Sequence, residues 1–308
     1  MSPSASHASA DATARLLLVT VSLAWGLSWP AMKIALEDIP PFSMRTGTSA
    51  LATLTLFALA LLQRRSLRIG GAAAPLHLVI AGCLNVASLT LFSAFAQLVT
   101  TTSRVTVLTY TMPIWAALFA HVILGERLNR PRGISLLLCA VGLAVLVYPL
   151  IGSNDLVGLA LAVASAVSWA AGTVYLKWAR IEADPIAIAA WQVVVALVVT
   201  IVGLLAVEGT PHLSPIHAPA LCALVFSGVV GSGLAYLMWF DIVRRLPATT
   251  ASLGILSVPV VGVVASMLLL GERPTVPDII GFALILAAAA CVLLAPNAHT
   301  SETAPIEQ

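Results

Sequence analysis

Residues 22–33 read SLAWGLSWPAMK, and residues 166–177 read AVSWAAGTVYLK. Trp25 and Trp169 lie 144 positions apart, as do Lys33 and Lys177, and Pro41 and Pro185. Farther along the spacing becomes 146: Pro113 matches Pro259, Leu124-Gly125-Glu126-Arg127 matches Leu270-Gly271-Glu272-Arg273, and Pro131 matches Pro277. An insertion of two residues between the blocks accounts for the change. One match is easily chance in an apolar chain, whereas two ordered blocks in register mark an internal duplication.

Composition says what solvent surrounds the repeats. The chain has 308 residues, 60% of them hydrophobic and 9% charged, with a mean hydropathy of +1.02. A soluble domain carries roughly 25% charged residues, so most of this surface must meet lipid. A spanning helix needs about 20 apolar residues. No stretch shows the alternation of barrel strands, which leaves helices as the spanning element. The pattern predicts an all-α membrane protein with ten transmembrane helices, at 15–35, 43–62, 75–97, 103–124, 133–150, 155–177, 186–206, 218–242, 249–270 and 278–295. Residues 15–150 and 151–295 form the two five-helix repeats, flanked by polar tails at 1–14 and 296–308 that are expected to be disordered.

Five spans per repeat is an odd number, so the second repeat enters the membrane from the opposite side. The halves are then inverted about a pseudo-two-fold axis in the membrane plane, an arrangement that recurs in alternating-access carriers. With both termini in the cytoplasm, eleven of the fifteen basic residues fall on the cytoplasmic side. Only Lys33, Arg45, Arg104 and Arg273 fall outside, as the positive-inside rule requires.

Other functions lack their signatures. A formal charge of +2 gives no footprint for nucleic acid. Cys83, Cys139, Cys222 and Cys291 stand singly in apolar stretches, so neither a metal site nor a disulfide framework is expected. A membrane-embedded enzyme would carry HExxH, paired acids or a Ser/His arrangement within the bilayer. None is present, and no cofactor or catalytic residue is expected. A structural or receptor-like protein would fit the helices but would give no reason for the inverted duplication.

The W-x7-K block and the P-x11-GER block resemble the drug/metabolite transporter superfamily with two EamA-type repeats, over residues 15–295. Within it the chain looks most like the aromatic amino-acid exporters. The resemblance implies a secondary permease of the bacterial inner membrane, without an ATPase domain. Its partners would be the bilayer and an amino-acid-like small molecule, while the pattern fixes no oligomeric state.

Candidate cavity residues come from polar and aromatic groups at membrane depth. Trp25 and Trp169 are symmetry-related indoles far from the headgroups where tryptophan usually sits, and Trp29 follows Trp25 by one turn. They either wall a substrate cavity or pack the halves together. Asn85 must face the bundle, with Ser88 on its face; its amide either touches substrate or bridges two helices. Tyr110 shares a face with Pro113, while Ser257 lies near Pro259. Each proline removes a helix hydrogen bond and so marks a hinge, a gate or a static kink. Gly228, Gly231 and Ser232, followed by Tyr236, make either a close helix contact or a loosened helix with free carbonyls. Glu126 and Glu272 end their helices as loop or gate contacts. All 13 acidic residues lie in tails, loops or helix ends, and His77 and His121 lie toward span ends. Facilitated diffusion, or weak coupling through a group such as His121, is therefore expected.

Overall fold

The computed structural model describes residues 3–126, 130–209, 215–236, 238, 239, 242 and 248–293, with side chains described from Leu16 onward apart from 248–254 and 292. Arg127, Pro211, Arg244, Arg245 and the expected tail at 296–308 lie outside the described residues. Among the described residues the chain is all-helical, without strands. The ten helices are α1 (Pro3–Asp38), α2 (Pro41–Leu62), α3 (Ala74–Val99), α4 (Thr102–Leu124), α5 (Arg130–Leu150), α6 (Asp155–Ala179), α7 (Pro185–Glu208), α8 (Ala218–Leu234), α9 (Ala248–Leu270) and α10 (Val276–Leu293). Seven of them, α1 to α7, have the length and apolarity to cross a membrane; α8 to α10 contribute shorter apolar stretches. α1 begins at Pro3, so the backbone of 3–14, expected as a disordered tail, is helical there. Its alanine-rich sequence has high helix propensity.

Local chemistry fixes the ends of the elements. Pro41 and Pro185 open α2 and α7 at positions where a missing N–H costs nothing. Asp184 caps α7 by accepting from Ile186 N at 2.9 Å. Gly125 and Gly271 adopt φ of 70° and 67°, the left-handed conformation that favours glycine. The following amides, Glu126 N and Glu272 N, bond back to Ala120 O and Ser266 O. Each bond reaches a carbonyl six residues back, one residue wider than a Schellman closure, and the left-handed glycine at the turn explains the repeated LGE block.

Packing joins the halves more than it separates them. α5 packs on α10, α2 on α7, α1 on α9, and α6 on α4. Glycines permit the closest approaches. A Cβ on Gly82 would sit 2.8 Å from Val195 Cβ and 3.2 Å from Gln192 Cα; one on Gly228 would sit 2.7 Å from Leu51 Cβ and 3.0 Å from Thr48 O. Gly172 likewise abuts Asn85, and Gly231 abuts Ser28. Adding the repeat spacing of 144 for α1 and α2 and 146 for α3 converts each contact into its mate. Outside the core of Met44, Leu108, Leu146 and Ile285, the helices expose apolar stripes such as Ile134-Leu137-Val141 and Val260-Val264-Met267-Leu268, as a lipid-facing surface must.

α3 and α8 each loosen into a π-helical segment, Cys83–Ser88 and Phe226–Leu234. These overlap in the repeat alignment and hold Asn85, Gly228, Gly231 and Ser232. Such segments often accompany functional sites.

Candidate functional site

The aromatic residues expected around one cavity form two groups. Trp29, Tyr110 and Trp169 make a continuous row across α1, α4 and α6. Tyr110 meets Trp29 at 6.4 Å and Trp169 at 6.1 Å between ring centroids, edge-on in both cases. Tyr110 can reach both indoles because α4 breaks at Tyr110–Thr111, between helical runs Thr102–Thr109 and Met112–Leu124, with Pro113 in the first turn of the second. Its repeat mate Pro259 stands inside an unbroken α9. Ser257, one turn away at most, is half-buried.

The second group is Trp25 with Tyr236 and Trp239, at centroid distances of 6.2 and 5.6 Å. Trp25 donates its indole N–H to Gly231 O at 3.0 Å. The loosened α8 segment therefore spends that carbonyl on α1, and Gly228 and Gly231 serve close helix contact. Ser232 donates to Ser227 O within the same segment at 3.0 Å. Asn85 donates from Nδ2 to Gln192 Oε1 at 3.0 Å, bridging α3 and α7. Its buried Oδ1 has no partner among the described residues. Ser88 is half-buried on the same segment.

Several groups were not singled out in the sequence. Arg45 and Arg104, counted there as basic residues near helix ends, are only 7% and 8% exposed. The short connections bring the N-terminal ends of α2 and α4 directly into the bundle. Arg104 forms a bidentate pair with Asp278 at 2.8 and 3.1 Å and reaches Asp155 at 3.5 Å. Gln97, fully buried, donates to Trp29 O at 3.1 Å and accepts at its backbone O from Lys33 Nζ at 2.5 Å. An amide inside an apolar run was a readable signal for Gln97; no pattern marked Arg45.

The two ends of the bundle are held differently. At the end bearing the α1–α2 connection, Glu208 accepts from Phe42 N, Ser43 N and Ser43 Oγ at 2.7–2.8 Å. Glu272 accepts in the same way from Thr102 N, Ser103 N and Ser103 Oγ at 2.6, 2.9 and 2.6 Å. Both carboxylates close on the positive end of a neighbouring helix. At the opposite end Glu126, the mate of Glu272, accepts from Lys177 Nζ at 2.6 Å and Arg132 Nη2 at 3.3 Å. The Lys177 hydrogen bond is the main force holding the Glu126 carboxyl below its ordinary range. His121 Nδ1 contacts Glu126 O at 2.6 Å, and His77 Nδ1 contacts the Tyr175 hydroxyl at 2.7 Å.

Comparison with known proteins agrees with this duplicated, apolar architecture. A profile of the EamA-like transporter family matches twice, over residues 12–148 and 156–294. The uncharacterized transporter YvbV of Bacillus subtilis is 31% identical, with 88% of each chain covered. A probable amino-acid metabolite efflux pump of Escherichia coli is 24% identical over 90% of this chain and 92% of its own. A solved crystal structure, 23% identical, aligns with a TM-score of 0.64 over 92% of this chain and 97% of its own, a likeness of fold. Two matches of one profile, each covering one of the halves that interlock here, place the chain in the EamA-like transporter family.

Proposed function

We propose that this transporter exports amino acids, aromatic and other large neutral ones above all, by alternating access between two inverted five-helix repeats in a bacterial inner membrane. The observation that carries the mechanism is the unequal use of repeat mates. Glu272 closes on the N-terminal amides of α4, whereas Glu126 rests on Lys177 and Arg132. The repeat mates of Thr102 and Ser103 are Ala248 and Thr249. In the alternate packing Glu126 takes their amides and Glu272 releases α4. Inverted halves make the two states equivalent in kind.

The excess of basic residues at the end bearing the α2–α3 connection supports a cytoplasmic position for that end and for both termini. The sealed end then faces outward. The aromatic row Trp29–Tyr110–Trp169 supports an apolar or aromatic substrate, because aromatic side chains bind such groups edge-on or stacked. A relative described as a probable amino-acid metabolite efflux pump points to the same class. The described carboxylates stand at helix ends, which supports flux without obligatory proton coupling.

Proteoliposome flux of labelled amino acids, with and without a proton gradient, tests the reading. Saturable flux of phenylalanine or tryptophan is expected with either gradient. It should fall roughly tenfold in Trp169→Ala and stay unchanged in Leu268→Ala, on the lipid face. A silent amino-acid panel beside rapid flux of a phosphate ester would refute the substrate assignment.

A further inference from the structure

Among the described residues, Arg45 is a cation without a counter-ion. It lies in the second turn of α2, buried between α1 and α3. Its Nη2 donates to Ser93 Oγ at 3.0 Å and lies against Met32 Sδ. Its buried Nε has no partner among the described residues. The carboxylates at this end of the bundle are otherwise engaged. Glu208 holds Phe42 and Ser43, Glu272 holds Thr102 and Ser103, Asp278 and Asp155 hold Arg104, and Asp38 holds His217. Glu37 is exposed.

A second cation reaches the same face of α3. Lys33 follows Met32 on α1 and donates to the backbone of Gln97, which stands one turn from Ser93 on the same face of α3. Gln97 in turn donates to Trp29 O. A connected set of contacts thus runs from Arg45 and Lys33 to the aromatic row at Trp29 and Tyr110. Burying one charge beside an engaged neighbour is costly unless an anion restores the balance. A guanidinium fork suits a carboxylate better than any other neutralising group among common metabolites of one negative charge.

We propose that Arg45, assisted by Lys33, is the subsite for the substrate's carboxylate, with Trp29 and Tyr110 receiving the apolar part. This rests on the amino-acid reading above and names the group that the transporter recognises. It makes the carboxylate, rather than the amine, the obligatory feature of a ligand.

The test uses the purified full-length protein and three probes: 3-phenylpropanoate, 2-phenylethylamine and inorganic phosphate. Binding is read by tryptophan fluorescence and by thermal shift in wild type, Arg45→Gln and Arg45→Lys. Wild type should bind phenylpropanoate at least tenfold more tightly than phenylethylamine. Arg45→Gln should lose roughly tenfold or more in affinity for phenylpropanoate, with Arg45→Lys between the two. Arg45→Gln removes an uncompensated charge, so its melting temperature should not fall; a large fall would assign Arg45 a structural role and overturn the proposal. Equal binding of the amine and the acid by wild type would overturn it without any variant. So would unchanged phenylpropanoate binding by Arg45→Gln, or binding of phosphate alone. If amino acids move in liposomes while these binding results fail, only the subsite is wrong. If no amino acid moves while phenylpropanoate binds through Arg45, the carboxylate site stands and the amino-acid assignment falls.

Discussion

Glu272 and Glu126 occupy equivalent places in the two repeats and share their local backbone. Each follows a left-handed glycine and bonds back to the carbonyl six residues earlier, yet one grips a neighbouring helix and the other a lysine and an arginine. Local sequence therefore sets where each carboxylate starts, and the packing state sets what it holds. The two ends also differ in solvent contact. The Arg104–Asp278 pair has side chains only 10% and 6% exposed, whereas Lys177 beside Glu126 is 66% exposed. The same charge chemistry should thus weigh heavily at one end and lightly at the other.

The largest effect expected is at Arg104. Arg104→Met leaves Asp278 and Asp155 without their cation where α4, α6 and α10 meet. Breaking such a buried pair costs about 3–5 kcal/mol. Unfolding in mild detergent should show that loss, and Asp278→Asn added to Arg104→Met should recover part of it. A fall below about 1 kcal/mol, the exposed-pair range, would mean the two ends do not differ as described.

Next comes Glu272→Gln. The neutral amide retains one acceptor oxygen but loses the charge that two backbone amides and a hydroxyl share. About 1–3 kcal/mol is expected for hydrogen bonds to a charged group. In transport, the loss should favour opening of the α1–α2 end, read as faster alkylation of a cysteine introduced at Thr106, which is fully buried here. Unchanged alkylation, with the protein otherwise folded, would remove Glu272 from the gate.

The same contrast shows how much was legible beforehand. Helix positions were readable because the spans are long apolar runs mostly bounded by proline or glycine; Pro41 and Pro185, expected in the connections before 43–62 and 186–206, instead open α2 and α7. The duplication was readable from the matched Trp–Lys and Pro–LGER blocks, whereas the close contacts at the matched glycines Gly82 and Gly228 emerge only in the fold. The candidate site was less so. Trp25 and Trp169 are equivalent in sequence, but their partners, Tyr236 and Tyr110, come from helices that are not equivalent. Pro113 and Pro259 are mates, yet only α4 breaks, since a proline permits a kink and the surrounding packing decides whether it is used. Arg45 looked like a loop-end charge because a sequence shows distance from a turn and not depth in the bundle.

The smallest effect is at Glu126, and its pH dependence sharpens the comparison. Lys177 and Arg132 hold the Glu126 carboxyl below its ordinary range. A depressed carboxyl stabilises the fold above its unfolded value, and the gain disappears as pH falls through the folded value. Glu126→Gln should therefore cost up to about 1 kcal/mol at neutral pH, the range of exposed pairs. The difference from wild type should shrink as the solution is taken below the ordinary glutamate range, and 1 M salt should weaken it at pH 7 by screening. Lys177→Met should produce a similar small loss, and the double variant Glu126→Gln/Lys177→Met should lose less than the sum of the two. A loss as large as that of Glu272→Gln, or one indifferent to salt and acid, would mean that Glu126 also closes on a helix end, and the proposed difference between the two gates would collapse.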